Sequence, residues 1–289
     1  MNRPGARESD SSDATDNPGA AARSALQLEE LGLNAWPALD QLHCSGYLLR
    51  FARGFSARAN SIHPIYAGDT ASPDLALLEL CEGIYRSRGL PAQFRMGPHT
   101  PLLDEALAGR GYRKAGEALV MARALGKRSD QAGDARSSGN EGDAGMPLED
   151  VTPGLQIFMS ERLDGGAGED WLSAVTALHS RPPTSIASFR ELLSRIVTRS
   201  CYMLASNTQL DGSQRPAACA LGVLQQNWVG IYELYRRTDL RGHGVGRQAL
   251  AYGASHAYLS CDALDRPALQ VFQDAGYREM YRSWYRMQA

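Results

Sequence analysis

The sequence holds little from which a disulfide frame or a metal centre could be built. Its five cysteines, Cys44, Cys81, Cys201, Cys219 and Cys261, are scattered and odd in number, and no Cys-x-x-Cys occurs. They read as reduced, mostly buried small side chains. The six histidines are equally dispersed, with no His-x-x-x-His spacing, so no metal is expected. No stretch approaches the roughly eighteen apolar residues of a membrane-spanning helix. Residues Met1 to Arg23 lack the apolar centre of a signal peptide. Neither sign of charge prevails: 30 Lys and Arg stand against 32 Asp and Glu, a net charge of −2. Nucleic acid and anionic membrane are therefore not expected as partners. Together these absences predict a soluble, cytoplasmic protein.

What is present suits a chain of about two domains. Length is 289 residues, and 43% are hydrophobic, enough for buried cores. Two stretches contain almost nothing large. Residues 1–24, rich in Ser, Asp, Gly, Ala and Pro, predict a disordered tail, and residues 126–150 predict a flexible linker. The expected modules are residues 25–125 and 151–289.

In the first module a helix is expected over Ala25–Leu33 and a second helix start at Asn34-Ala-Trp36-Pro37. Two strands, Gly46–Arg53 and Ala57–Tyr66, follow around Gly54-Phe55-Ser56. Leu75, Leu78, Cys81 or Glu82, and Tyr85 recur at helical spacing between Pro73-Asp74 and Gly89, which predicts a helix over 75–88. Then come a strand at Gln93–Met96, a helix at Pro101–Gly109 and a strand at Arg113–Leu125, bent at Gly116. The second module reads as a strand at Leu155–Ser160, helices at Asp170–Ser180 and Ser188–Arg199, and a strand at Cys201–Ser206. A hairpin, Ala217–Gln225 and Trp228–Tyr235, turns at Gln226-Asn227. A helix at Gln248–Ala257, a strand near Tyr258–Cys261, a helix at Arg266–Ala275 and a strand at Arg278–Met287 complete it. The fold class is mixed α/β (α+β), a largely antiparallel central sheet flanked by helices.

The halves repeat one another. Leu103 to Gly111-Tyr112-Arg113 matches Leu269 to Gly276-Tyr277-Arg278 as helix, Gly-Tyr-Arg, strand. The two strands carry similar pairs, Met121-Ala-Arg123 and Arg286-Met287. Two related modules in tandem account for this better than two unrelated domains.

The stretch with most chemical content runs from Glu233 to Leu250. A β-branched and aromatic strand leads into Arg241-Gly242-His243-Gly244-Val245-Gly246-Arg247, and helix formers follow. Such a turn offers unpaired N–H groups and the positive end of a helix dipole, which bind phosphate. The third glycine comes one place too early for a dinucleotide fingerprint, and the Gly-Lys-Ser/Thr of a nucleotide P-loop is absent. What remains is Arg-x-x-Gly-x-Gly, filled by Arg241, Gly244 and Gly246. It resembles the acyl-CoA pyrophosphate loop of the GNAT acetyltransferases, and the element order of residues 150–289 resembles a GNAT domain. The first half resembles the leading half of a tandem GNAT family. It lacks the loop, which implies a degenerate module.

The resemblance implies an N-acetyltransferase that moves an acyl group from acetyl-CoA to a primary amine on a small molecule or peptide. The backbone of Leu234, Tyr235 and Arg236 would hold the pantetheine arm. The N–H groups of Arg241, Gly242, His243, Gly244, Val245, Gly246 and Arg247 would hold the pyrophosphate, with charge from Arg241 and Arg247. Glu233 falls where the family keeps its general base; strict alternation would put it on the face of Ile231 and Tyr235, and burial there would suit base work. Three positions depart from the family. Asp265 stands where Asn is usual, and Phe272 where the acid tyrosine is usual, leaving water, Tyr277 or Tyr281 to protonate the thiolate. The 19 residues from Gly246 to Asp265 are short by roughly two helical turns. A non-catalytic acyl-CoA-binding module and a pseudoenzyme that only mediates association are the alternatives. An acceptor would lie between the modules, near Trp36, Arg58, Trp171 or Trp284. A homodimer is an open possibility.

Overall fold

A computed structural model describes residues 18–65, 73–125, 155–208, 213–236 and 254–288. The expected linker, the turn at Asp211-Gly212 and the glycine loop at 241–247 lie outside these residues, as do residues 1–17 of the expected tail. The described strands form one sheet. In chain order they are β1 (Asp40–Cys44), β2 (Tyr47–Phe51), β3 (Ile62–Pro64), β4 (Gln93–Met96), β5 (Arg113–Ala124), β6 (Leu155–Ser160), β7 (Arg199–Thr208), β8 (Gln214–Gln225), β9 (Trp228–Arg236), β10 (His256–Asp262) and β11 (Arg278–Met287). In space they run β1-β2-β3-β4-β11-β5-β10-β9-β8-β7-β6. Among the described strands only β3–β4 and β9–β10 pair in parallel.

That order contains an exchange. β5, which ends the first half, lies against β10 of the second. β11, which ends the second half, lies against β4 of the first. β5 and β11 then pair with each other at the centre. The two basic residues of the repeat tie the exchange. Arg286 donates to Tyr112 O, and Arg123 donates to Ala275 O, so each strand's arginine reaches the Gly-Tyr turn of the other half. Gly111 and Gly276 occupy those turns with φ of 85° and 83°, values that favour glycine.

Among the described residues, six helices cover the sheet. α1 (Pro18–Ala35), α4 (Gly166–Leu178) and α5 (Pro183–Ser194) pack on one face. Its core holds Leu28, Trp36, Trp171, Phe189, Tyr202, Leu221, Tyr232 and Tyr258. α2 (Leu75–Ser87) and α3 (Pro101–Gly109) cover the other face over the first half, with Leu78, Tyr85, Phe94 and Leu107. α6 (Arg266–Asp274) covers it over the second, with Leu259, Leu269 and Tyr277. β5 shows how the faces are made: Leu119 and Met121 join the core under α6, while Val120 and Ala122 join the one under α1.

Several elements differ from the expectations. α1 begins at Pro18, inside the predicted tail, because Ala25, Leu28, Leu31 and Ala35 form a stripe that the sheet buries. No helix starts at Asn34: Trp36 N still bonds Gly32 O, and Pro37, which has no N–H, stops the helix. β1 follows and was not anticipated. The strand expected over 57–66 is only Ile62–Pro64. Ser56 Oγ accepts from Ala59 N, and Asn60 Oδ1 accepts from the N–H groups of Ala52 and Gly54. These side-chain bonds hold Ala57–Ala59 in a single 3-10 turn instead of a strand. α5 starts at Pro183, where proline suits a first helical turn, and Arg199 already belongs to β7. His256 and Ala257 open β10 rather than close a helix. Leu75, expected in the stripe of α2, is exposed.

Candidate functional site

Strands β9 and β10 form a fork. They pair from Trp228↔His256 to Ile231↔Leu259 and then part, although β9 continues to Arg236 and β10 to Asp262. On one edge β9 keeps its partner, with Cys219↔Tyr235 and Ala218↔Arg236. Among the described residues, no strand pairs the other edge of Tyr232–Arg236. That backbone is available to a ligand lying along the fork, which is where Leu234, Tyr235 and Arg236 were expected to act.

The fork carries a bulge. Between Leu221↔Tyr232 and Cys219↔Tyr235, two residues of β9 face one of β8. Glu233 adopts φ 50°, a left-handed conformation that a side-chain-bearing residue seldom takes. Such conformations persist where surrounding structure imposes them, often at working sites. The bulge overturns the alternation argument. Ile231 packs under α6, whereas Tyr232 and Tyr235 both pack on the α1/α4/α5 face. The Glu233 carboxylate turns to that same face, where Arg181 Nη2 donates to it. His179 Nε2 lies 3.5 Å away without hydrogen-bonding geometry. The surroundings of Glu233 are therefore polar as well as buried. Its side chain is 10% exposed.

Arg181 and His179 were not singled out from the sequence. Both lie at the junction of α4 and α5. His179 caps α4, Ser180 takes φ 51°, and Pro182-Pro183 fixes the chain beyond Arg181. Arg181 also lies over the rings of Phe189 and Phe55, at 4.4 and 5.2 Å. Two prolines directly after a His-x-Arg were the available signal.

A second group of polar residues lies beneath α1, where the halves meet. Arg50 is fully buried on β2. Its guanidinium donates to the carbonyls of Leu33 and Trp36, left open where α1 stops, and to Arg58 O. Burial pulls its pKa down to about 10, so it stays charged near neutral pH. Glu29 takes a two-pronged contact from Arg95 and a 2.8 Å bond from Tyr281 Oη. Burial alone would raise the Glu29 carboxyl, but the charge and hydrogen bonds of Arg95 hold it at about 2. Burial, with Arg50 nearby, pushes His63 well below its ordinary value, so it is neutral. Tyr232 Oη and Tyr258 Oη are 2.9 Å apart. Gly230 makes that pair possible, since a Cβ there would sit 2.6 Å from Tyr258 Oη.

The other expected residues are dispersed. Asp265 caps α6 by accepting from Ala268 N at 3.1 Å. Phe272 packs edge-on to Tyr277 at 6.0 Å, with no hydroxyl to give. Tyr277 belongs to the core under α6; Tyr281 lies on the opposite face. Trp171 and Trp284 are structural, donating to Ala220 O at 3.0 Å and to Asp104 Oδ1 at 2.7 Å. Trp36 and Tyr232 both face Arg58. Arg241, Gly242, His243, Gly244, Val245, Gly246 and Arg247 lie outside the described residues. Among the described residues, no group of three or more His, Cys, Asp or Glu could hold a metal, and no helix is long and apolar enough to cross a membrane.

Comparison with known proteins bears on both halves. A family model described as "Probable histone acetyltransferase Rv0428c C-terminal" matches residues 24–149, less than half of the chain and the half without the glycine loop. YobR of Bacillus subtilis, described as an uncharacterized N-acetyltransferase, is 35% identical over 96 residues, which is 33% of this chain and only 37% of that protein. A GCN5-related N-acetyltransferase from Kribbella flavida superposes over 93% of this chain and 95% of its own, with a TM-score of 0.54 at 16% identity. A tandem GNAT protein from the clavulanic acid biosynthesis pathway covers 90% of this chain and 87% of its own, with a TM-score of 0.56 at 11% identity. At such identities the last two speak for the fold, and they do so across both halves.

Proposed function

We propose that this chain is a GNAT-type protein that transfers an acetyl group from acetyl-CoA to a primary amine at the β9–β10 fork. One observation carries this reading: β9 runs past its pairing with β10, bulged at Glu233, and Arg241–Arg247 follows in the sequence. The open backbone of Leu234, Tyr235 and Arg236 suits an amide-bearing pantetheine arm. The glycine loop, with Arg241 and Arg247, suits a pyrophosphate. When bound, acetyl-CoA supplies the activated thioester. The chain's part is to orient it and to take a proton from the attacking amine. The departing CoA thiolate takes its proton from water, and Glu233 is the group to take the amine's, directly or through water. To do so the carboxylate must share or release Arg181, and the guanidinium is then free to offset charge developing nearby. With a small-molecule or peptide amine as acceptor, the reading needs neither nucleic acid nor membrane.

A second reading, an acyl-CoA-binding module without turnover, is favoured by two observations. Phe272 has no proton to donate, and Glu233 is engaged by Arg181. One experiment separates them. Thiol release from acetyl-CoA is followed with a panel of amines, beside calorimetric titration with CoA. Turnover that falls by about 10²–10⁴ in Glu233→Gln, with CoA affinity unchanged, supports transfer with Glu233 as base. Heat of CoA binding with no turnover supports the second reading. Absence of both leaves neither.

A further inference from the structure

The two forks meet at one cavity. In the first half, β3 and β4 pair in parallel at Ile62↔Phe94, and β9 and β10 last pair at Ile231↔Leu259. The residues one step beyond each pair are His63 and Arg95 in the first half, and Tyr232 and Ser260 in the second. All four line the same cavity, of about 40 Å³. Its floor includes Tyr281 and Val120, which pair with each other where the exchanged strands cross the sheet centre. Its roof is α1. The cavity therefore lies where the repeat folds back on itself, between the halves.

Its charge is unbalanced. Arg50, Arg58 and Arg95 line it, with Glu29 as the carboxylate against them and a neutral His63. Three guanidiniums against one carboxylate leave two positive charges in excess. Glu29 is occupied by Arg95. Arg50 spends its terminal nitrogens on backbone carbonyls, but its Nε is buried without a partner. Arg58 sits 5.7 Å from the Trp36 ring and 5.4 Å from the Tyr232 ring, and among the described residues no acceptor takes a hydrogen bond from its guanidinium. The aromatic faces hold the guanidinium in place; they do not supply the in-plane acceptors its N–H groups seek. A planar anion with two oxygens does. One water needs about 10–15 Å³, so the space takes about three non-hydrogen atoms, the size of a carboxylate.

We propose that this cavity binds a carboxylate, gripped by Arg58 with Arg50 behind it. Where the acyl-transfer reading holds, on which this second part rests, the acceptor is an amine that carries a carboxylate. Tyr232 would then contact the acceptor's anionic end while Glu233, the next residue, handles its amine.

The test uses the full chain. Its tryptophan fluorescence, to which Trp36 contributes beside Arg58, is titrated with propionate and with propanamide, a neutral molecule of the same shape. Propionate should give a saturable change and propanamide none. Arg58→Ala should abolish the change. Arg58→Lys, which keeps the charge but loses the planar fork, should weaken it at least fivefold and serves if the alanine variant does not fold. An equal response to both probes, no saturable response, or an unaltered response in both variants would overturn the site. Acetyl transfer is then compared for alanine and alaninamide, with the carboxylate-bearing amine expected to have the lower KM in the parent and not in Arg58→Ala. If propionate binds but CoA neither binds nor turns over, acyl transfer fails and the site stands. If CoA is turned over and propionate is ignored, the site fails and acyl transfer stands.

Discussion

The two forks share a plan and differ in the residues that follow each. After β3, α2 begins behind Asp74, whose carboxylate accepts from Ala76 N and Leu77 N at 2.9 and 3.4 Å. A carboxylate thus already fills the place where open N–H groups would receive a phosphate. After β9 the chain runs through Arg241–Arg247, which contains three glycines, two arginines and no acid. Two steps beyond the fork the first half has Pro64, where the second has Glu233. A repeated architecture can thus keep its sheet intact while an aspartate caps the helix after one fork and a proline stands where the other fork has its candidate base.

The largest effect is expected from filling the second site as the first is filled. In Gly244→Val the added branched side chain would occupy the place of the phosphate. Calorimetric titration should show CoA affinity lost by at least a hundredfold, with the unfolding midpoint little changed. Retained affinity would mean that the glycine loop is not the cradle, and that the two halves differ in some other respect.

Next comes the dependence of one half on the other. Because β5 and β11 are exchanged, damage to the first core should destabilise both. Phe94 is fully buried between Tyr47 and Tyr112, at 6.2 and 5.7 Å. Phe94→Ala should cost about 3–5 kcal/mol. Hydrogen exchange should show protection falling in β8 and β9 as much as in β3 and β4. Loss confined to the first half would show that each half is stable without the other's strand.

A comparable cost attaches to the charges beneath α1, and it has a sign with pH. Glu29 is held at about 2 against an ordinary 4.5 by Arg95, so the folded state favours the ionised form. Its contribution is complete above about pH 4.5 and is lost as the pH falls toward 2. Glu29→Gln should remove that part of the acid dependence and cost about 3–5 kcal/mol at neutral pH, because Arg95 is left buried without its partner. Chemical unfolding across pH 2–7 measures both. An unchanged acid slope would place the acid sensitivity elsewhere, for instance at the exposed pairs of β5, β11 and α5.

How much of this was legible in the residues follows from whether a feature is local. The helix of Pro101–Gly109 and the strands at Gln93–Met96, Leu155–Ser160 and Arg278–Met287 match to the residue, because period, proline and glycine mark them. The Gly-Tyr-Arg repeat was visible too. The exchange of β5 and β11 was not, since nothing in either strand states which half it will join; Arg123 and Arg286 record it only once their distant carbonyl partners are known. Glu233 shares the face of Tyr235 as expected but not that of Ile231, because alternation assumes a regular strand and the bulge depends on how β8 and β9 meet. Nothing local marks Arg50 and Glu29; only the fold brings the end of α1 to the one and Arg95 to the other.

The smallest effect tests the closing aspartate itself. Asp74→Ala removes the cap of α2 and should cost about 0.5–2 kcal/mol. It frees two N–H groups in the first half, yet it should not create a CoA site there. A phosphate needs close backbone approach as well as open donors, and Ala76, Leu77 and Leu78 follow where the second half has Gly242, Gly244 and Gly246. Titration of Asp74→Ala combined with Gly244→Val should therefore give no CoA binding. Binding restored in the double variant would show that the aspartate alone had closed the first site. No binding, with the modest loss of stability, would show that the first half lacks the backbone to hold a phosphate whatever caps its helix.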